Sequence, residues 1–287
     1  MPFISPKVLC RRHRLTPNRS LGQHFLLHPD QARRLVAALE LRGQEVVVEI
    51  GAGLGALTYF LAESGGRVIA LELDRRLIPI LTTEVLPGFS NVMVVSQDAL
   101  KFDYLALSRE EGQSLTVAGN LPYQITSPLL FKLMGVKTAI RIMLFMVQQE
   151  VGLRLMAQPG GKDYGILSVL IQYHFHLRRL FLLKPSNFYP APKVDSVVLG
   201  FRPRLPEPSA INEDFLAQVV KAAFSTRRKT LRNTLTAQSS LLRASPAVIL
   251  AILHDLRIDP GRRAETLSVD DFVRLSNRLA EKTGKPY

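Results

Sequence analysis

Residues 45–55 read Glu45-Val46-Val47-Val48-Glu49-Ile50-Gly51-Ala52-Gly53-Leu54-Gly55, and this stretch decides the fold. Its first half is short and rich in β-branched residues, the pattern of a buried strand. Glycines at alternate positions follow directly, and residues 56–64 then predict a helix that Gly65-Gly66 stops. Strand, glycine turn and helix make the first unit of an α/β fold.

The same alternation continues downstream. Residues 67–73 predict a strand, 75–85 a helix, 92–96 a strand, 116–118 a strand, 129–134 a helix and 140–147 a strand. Strands alternating with helices call for a mostly parallel, doubly wound sheet. After helices over 148–156 and 166–173, the extended segments 181–184 and 196–201 are expected to pair as a hairpin closing that sheet. Upstream, Ala32, Leu35, Val36 and Leu39 have helical spacing, with Pro29 at the start. Pro203, Pro206 and Pro208 then mark a linker. Beyond it the spacing of Phe215, Val219, Val220 and Ala223, and later of Phe272, Leu275 and Leu279, predicts a small all-α domain. The expected division is therefore an arm over 1–20, an α/β domain over 21–205 and a helical domain over 206–287.

Charge separates these parts. The 287 residues carry 37 Lys and Arg against 24 Asp and Glu, a formal +13. Residues 1–42 hold eight basic and two acidic side chains, while residues 43–204 are nearly balanced at sixteen and thirteen. Basic flanks around a near-neutral body suit a protein that grips a polyanion, because Lys and Arg displace counterions from phosphates. The first 20 residues hold Arg11, Arg12, Arg14 and Arg19 with no acid and three prolines, which predicts a basic arm. An organelle address is the lesser alternative, since the prolines interrupt a long amphipathic helix. No apolar run is long enough for a membrane helix. The single cysteine, Cys10, excludes an internal disulfide and a zinc ribbon, and makes a reducing cytoplasmic setting the default.

In an open α/β sheet, ligands bind at the carboxyl ends of the strands. Here those ends are polar: Glu49-Ile50-Gly51, Glu72, Gln97-Asp98 and Gly119-Asn120. Glu72 lies 21 residues after Gly51, where a carboxylate commonly takes ribose hydroxyls. A dinucleotide and S-adenosylmethionine both bring such a ribose. The glycines are spaced Gly51-x-Gly53-x-Gly55 rather than G-x-G-x-x-G, and Glu49 and Asp98 suit a cationic sulfonium better than a pyrophosphate. Taken singly, Glu72 also reads as a helix-start residue paired with Arg75 or Arg76, and Asp98 as an Asx turn.

Asn120-Leu121-Pro122-Tyr123 is the most specific motif. The exocyclic amine of adenine is a poor nucleophile because its lone pair is delocalised into the ring. An Asn120 amide oxygen and the Pro122 carbonyl would hold its N–H groups and favour a pyramidal nitrogen aimed at a methyl group. Pro122 stiffens the turn, Leu121 sits between the two acceptors, and Tyr123 offers a face for the base. This chemistry calls for no metal. The base has to be flipped out or single-stranded to reach the turn. Phe188, in a Pro-rich loop, is the candidate for the opposite wall, with a core-filling role as its alternative.

With these motifs the chain resembles the KsgA family of ribosomal RNA adenine N6-dimethyltransferases. The resemblance runs from Leu21-Gly22-Gln23-His24-Phe25-Leu26 through the glycine turn, Glu72-Leu73-Asp74, Gln97-Asp98-Ala99, Asn120 to Tyr123 and the Phe188 loop. It ends at Phe224 and Arg227-Arg228-Lys229-Thr230-Leu231-Arg232-Asn233. It implies a Rossmann-like class I methyltransferase sheet with an all-α C-terminal domain. The implied reaction dimethylates two adjacent adenosines in a hairpin near the 3′ end of small-subunit rRNA during ribosome biogenesis, leaving S-adenosylhomocysteine.

The resemblance also implies donor contacts at His24, Leu26, Gly51, Glu72, Asp98 and Asn120, and chemistry at Asn120, Leu121, Pro122, Tyr123 and Phe188. RNA contacts fall to Arg11, Arg12, Arg14, Arg227, Arg228, Lys229 and Arg232. The expected partner is rRNA within a pre-assembled small subunit, met by a monomer away from membranes. Many members carry Asn where this chain has His24: either the backbone there is the contact and the exchange is harmless, or the Asn side chain is needed and donor affinity falls. An Erm-type enzyme acting on large-subunit RNA is the nearest alternative, and a non-enzymatic RNA factor on the same fold is a second. A nicotinamide dehydrogenase lacks a residue for hydride chemistry.

Overall fold

A computed structural model describes residues 3–122 and 124–284. The chain forms two compact units, the first running to Gly152 and adding His176–Pro203, the second comprising Leu153–Phe175 and the chain from Arg204 onward. Where the sequence suggests a seam at residue 205, the second unit begins again at Arg204 and also takes in residues 153–175.

Nine strands are described: β1 (Phe25–Leu26), β2 (Val46–Ile50), β3 (Arg67–Glu72), β4 (Val92–Ser96), β5 (Leu115–Asn120), β6 (Ile140–Gln148), β7 (Phe175–Leu183), β8 (Phe188–Tyr189) and β9 (Ser196–Pro203). Seven form one sheet in the order β4-β3-β2-β5-β6-β9-β7, and β1 pairs with β8 separately. The pairs β4-β3, β3-β2, β2-β5 and β5-β6 are parallel, and β6-β9 is antiparallel. The expected closing strands are neighbours at the sheet edge. β7 begins earlier than its hydrophobicity suggests because Arg178-Arg179 interrupts the apolar pattern.

β2 is buried along its whole length, as a parallel strand covered on both faces must be. From it the chain steps to β3 on one side and returns to β5 on the other, so the topological switch lies between β2 and β5. Parallel register aligns the strand ends there: Ile50 pairs with Leu71 and Gly119, and Glu72 with Ser96. Gly51, Gly53 and Gly55 leave β2 at φ of +73°, +59° and +79°, backbone that side-chain-bearing residues rarely adopt.

Three local expectations change. Residues 6–12 are not an open arm: Pro6–Arg12 is a helix with Leu9 and Cys10 buried in the core. Pro6 sits at its first turn, where a missing N–H costs nothing. Residues 75–85 do not form one regular helix but a short turn Ile78–Ile80, with Pro79 in its first turn, followed by a widened π turn Leu81–Val85. Tyr104–Glu110 is an additional helix, capped by Asp103, whose Oδ1 accepts from Ala106 N at 2.9 Å. Its mostly exposed face left no apolar stripe in the sequence.

In the second unit, Glu213–Ala223 is capped by Asn212, and Val269–Thr283 by a reciprocal Ser268–Asp271 box. Phe215, Phe272, Leu275 and Leu279 are fully buried, and the rings of Phe224 and Phe272 stack at 5.8 Å. No described helix is long and apolar enough to cross a membrane.

β2 and β5 approach so closely that a Cβ on Gly119 would lie 2.5 Å from Ile50 O. Gly119→Ala is expected to destabilise the protein by about 1–3 kcal/mol, because backbone cannot yield as a side chain does. Urea unfolding checks this, and an unchanged midpoint would contradict the packing described.

Candidate active site

The carboxyl ends of β2, β3 and β5 and the loop after β4 open onto a cavity of about 200 Å³. Its lining includes residues 20–26, 49–54, 71–73, 97–100 and 120–122, together with Met146 and Phe188. Among the described residues three carboxylates line it, Glu49, Glu72 and Asp98, and no Lys or Arg does.

Glu72 is 6% exposed and accepts from Gly53 N and Asp74 N, each at 2.7 Å. Burial pushes its pKa up, against those backbone bonds. Its helix-start alternative fails, because Arg76 binds Asp74 instead, Nη2 to Oδ2 at 2.6 Å. That pairing holds Asp74 down at about 2. Asp98 Oδ1 accepts from Leu100 N at 2.9 Å, so it does form an Asx turn, and that turn places it in the cavity wall.

Glu49 is buried on β2, and its Oε2 has no described partner. Burial pushes its pKa up to about 8; the nearby Glu72 charge adds to this and Thr58 opposes it. Glu49 thus offers a spare oxygen at the wall of a cavity that also holds the carboxylates Glu72 and Asp98. The donor set therefore fits a sulfonium-bearing nucleoside, and it does not fit a pyrophosphate.

Asn120 is at the end of β5. Its Nδ2 donates to His24 O at 2.7 Å, which turns Oδ1 away from that carbonyl. His24 thus acts through its backbone toward Asn120, while its ring Nδ1 bonds Pro190 O at 2.6 Å. Leu26 and Phe188 are cross-strand partners. Phe188 is 3% exposed and belongs to the main core while bordering the cavity, so its core-filling role is realised.

One acceptor changes. Pro122 O already accepts from Ile125 N at 3.1 Å and Thr126 Oγ1 at 3.2 Å, which closes the turn and occupies both lone pairs. The Pro122 carbonyl is thus engaged within its own turn, while Leu121, anchored by its N–H to Met146 O at 3.1 Å, lines the cavity. Tyr123 lies outside the described residues.

Sequence reasoning missed the role of Gln23. Its Nε2 donates to Asp74 Oδ2 at 2.9 Å and its Oε1 accepts from Asn18 N at 2.7 Å, fastening the N-terminal wall. Its place beside His24 was the only signal.

The basic residues divide. Arg11 and Arg14 are exposed, whereas Arg12, with His13, binds Glu84 on the π turn. In the helical unit, Arg227 is engaged by Glu265 and by Lys162 O. Arg228, Lys229 and Arg232 are exposed.

The profile of the family described as ribosomal RNA adenine dimethylase matches residues 14–281. The chain belongs to that family. A Bacillus mycoides protein named ribosomal RNA small subunit methyltransferase A is 41% identical over 278 residues, covering 95% of this chain and 94% of that protein. A Bacillus cereus protein of the same name is 40% identical with the same coverage. Among solved structures, a dimethyladenosine transferase from Plasmodium falciparum aligns with a TM-score of 0.76 at 26% identity, over 91% of this chain and 98% of that one. The 23S rRNA methyltransferase ErmE aligns at 0.66 and 25%, over 89% and 99%. This dimethylase therefore has the class I methyltransferase fold expected from its sequence.

Glu49 gives a pH test of the site. A folded-state pKa near 8, above the ordinary 4.5, means the folded protein holds a proton that the unfolded chain releases between those values. Stability of the wild type should therefore fall relative to Glu49→Gln as pH rises from about 5 to about 8, then level off. Urea unfolding across that range measures it; parallel curves would remove Glu49 as a buried neutral acid.

Proposed function

We propose that this chain dimethylates N6 of two adjacent adenosines in a hairpin near the 3′ end of small-subunit rRNA. S-adenosylmethionine is the donor and S-adenosylhomocysteine the product. The substrate is a pre-assembled small subunit in the cytoplasm, met by the protein as a monomer. The observation that carries the donor assignment is the cavity at the β2/β5 switch, lined by Glu49, Glu72, Asp98 and Asn120 and, among the described residues, by no Lys or Arg.

When bound, the donor supplies an electrophilic methyl on a cationic sulfur. Glu72, held by Gly53 N and Asp74 N, has lone pairs left to accept ribose hydroxyls. The Asp98–Leu100 turn presents a carboxylate and backbone groups to the adenine edge. Leu26 and the residue 24 backbone form the opposing wall. A flipped target adenine places its amine at the strand β5 turn, where Asn120 Oδ1 and Leu121 O accept its two N–H bonds. The amine lone pair is thereby localised on nitrogen and aimed. After transfer, the nitrogen loses its surplus proton to water. Tyr123 and Phe188 are assigned to hold the base, and Phe188 does so by closing the wall between β8 and the cavity.

RNA is gripped by Arg11 and Arg14 on one unit, with Arg12 beside them held by Glu84, and by Arg228, Lys229 and Arg232 on the other. Arg227 contributes by ordering the turn before that cluster, since its own charge is met by Glu265.

Purified protein with S-adenosylmethionine and undermethylated small subunits should yield dimethyladenosine by mass mapping of the rRNA. Methylation of large subunits in its place would establish the ErmE-like reading. Asn120→Ala should cut kcat by about 100-fold or more with a far smaller change in S-adenosylhomocysteine affinity; equal losses would reassign Asn120 to donor binding alone. Replacing Arg228, Lys229 and Arg232 by Gln should flatten the log–log salt dependence of RNA binding by roughly 2–3 units. An unchanged slope would take the cluster out of the interface.

A further inference from the structure

The loop after β4 forms the adenine side of the cavity, and what fixes it in place lies outside the cavity. Asp98 organises the loop from within: its Oδ1 takes Leu100 N, and its carbonyl takes Lys101 N at 2.9 Å and Phe102 N at 3.1 Å. Two carbonyls of the same loop are then held by side chains from elsewhere. Tyr104 OH donates to Ala99 O at 3.1 Å, from a ring that is fully buried. Lys132 Nζ donates to Leu100 O at 2.7 Å and lies 5.7 Å from the centroid of the Tyr104 ring.

Lys132 belongs to the helix Thr126–Gly135, which begins where the catalytic turn ends. That turn is pinned to the helix through Pro122 O, by Ile125 N and Thr126 Oγ1. Six residues of helix, about 9 Å, separate Thr126 from Lys132. One rigid element therefore grips the Asn120–Pro122 turn at its N-terminal end and the loop after β4 through Lys132. No carboxylate is described within an ion pair of Lys132, so its ammonium serves the backbone.

We infer that Lys132 is a positioning residue: through Leu100 O it sets the adenine side of the donor cavity and ties it to the Asn120–Pro122 turn. A charge-assisted bond to a carbonyl is the stronger kind, and it holds the loop whether or not donor is present. The loop's geometry thus precedes donor binding rather than following it, which lowers the ordering cost of binding. This inference rests on the reading of the cavity as the S-adenosylmethionine site.

The test uses the full chain. S-adenosylhomocysteine binding is measured by calorimetry, and kcat and KM are measured with S-adenosylmethionine on undermethylated small subunits. Lys132→Met keeps the aliphatic stem and removes the donors; its S-adenosylhomocysteine Kd and donor KM should rise about 5- to 20-fold, as loss of a charged hydrogen bond implies. Its kcat at saturating donor and its KM for subunits should stay within about twofold, and Lys132→Arg should restore donor affinity. Tyr104→Phe, which loosens the neighbouring carbonyl, should raise the same Kd and serves if Lys132→Met does not fold. An unchanged Kd in folded Lys132→Met, or a fall in kcat equal to that in kcat/KM, overturns the inference. Wild-type protein that binds no S-adenosylhomocysteine would instead overturn the donor reading beneath it.

Discussion

Where β2 and β5 run side by side, the backbone of Gly119 sits flush against Ile50 O, with no room for even a methyl group. This contact fixes where the two strands end relative to one another, and everything polar in the site is placed from those ends. Gly51 departs from one strand and Asn120 caps the other, so the glycine turn and the Asn120 side chain open into the same crevice. The next strand adds Glu72 in register. The cavity is thus a consequence of strand termination: parallel chains stop together, their unpaired backbone groups point the same way, and carboxylates at the final positions face inward.

Much of this was readable in advance because the governing patterns are local. A β-branched run before alternating glycines specifies β2 and its turn, and the polar residue closing each later strand marks the crevice. The identity of the family was legible for the same reason, since its motifs sit at strand ends. Other features depend on partners remote in sequence. Nothing near Pro6 announces that Leu9 and Cys10 will be buried, because the surface that covers them comes from elsewhere in the first unit. The Pro122 carbonyl appeared available until the helix that follows was seen to use it. Arg12 and Arg227 were indistinguishable in sequence from their neighbours, and only folding brings Glu84 and Glu265 to them.

The electrostatics of the body and of its flanks follow opposite rules. Exposed arginines remain charged and screened, which suits contacts that position RNA without reading it. At the cavity wall burial acts on the carboxyls, pushing Glu49 and Glu72 toward the neutral form, while Asp74 just beyond it is kept ionised by Arg76 and Gln23. Acidic residues two apart in sequence, Glu72 and Asp74, are driven in opposite directions by what surrounds them.

The pairing of β1 with β8 carries a consequence for synthesis. Leu26 meets Phe188, and the His24 ring meets Pro190, 166 positions later. A wall of the cavity is therefore assembled from the beginning of the chain and from a segment that leaves the ribosome long afterwards. Such a distant closure is slow to form and late to be rewarded. A nascent chain already holding β2 to β6 would possess the glycine turn and the Asn120 motif, yet it would lack the covering wall. That wall is complete only once translation has passed residue 190, so the first strand of the chain waits for one of the last pieces of the first unit.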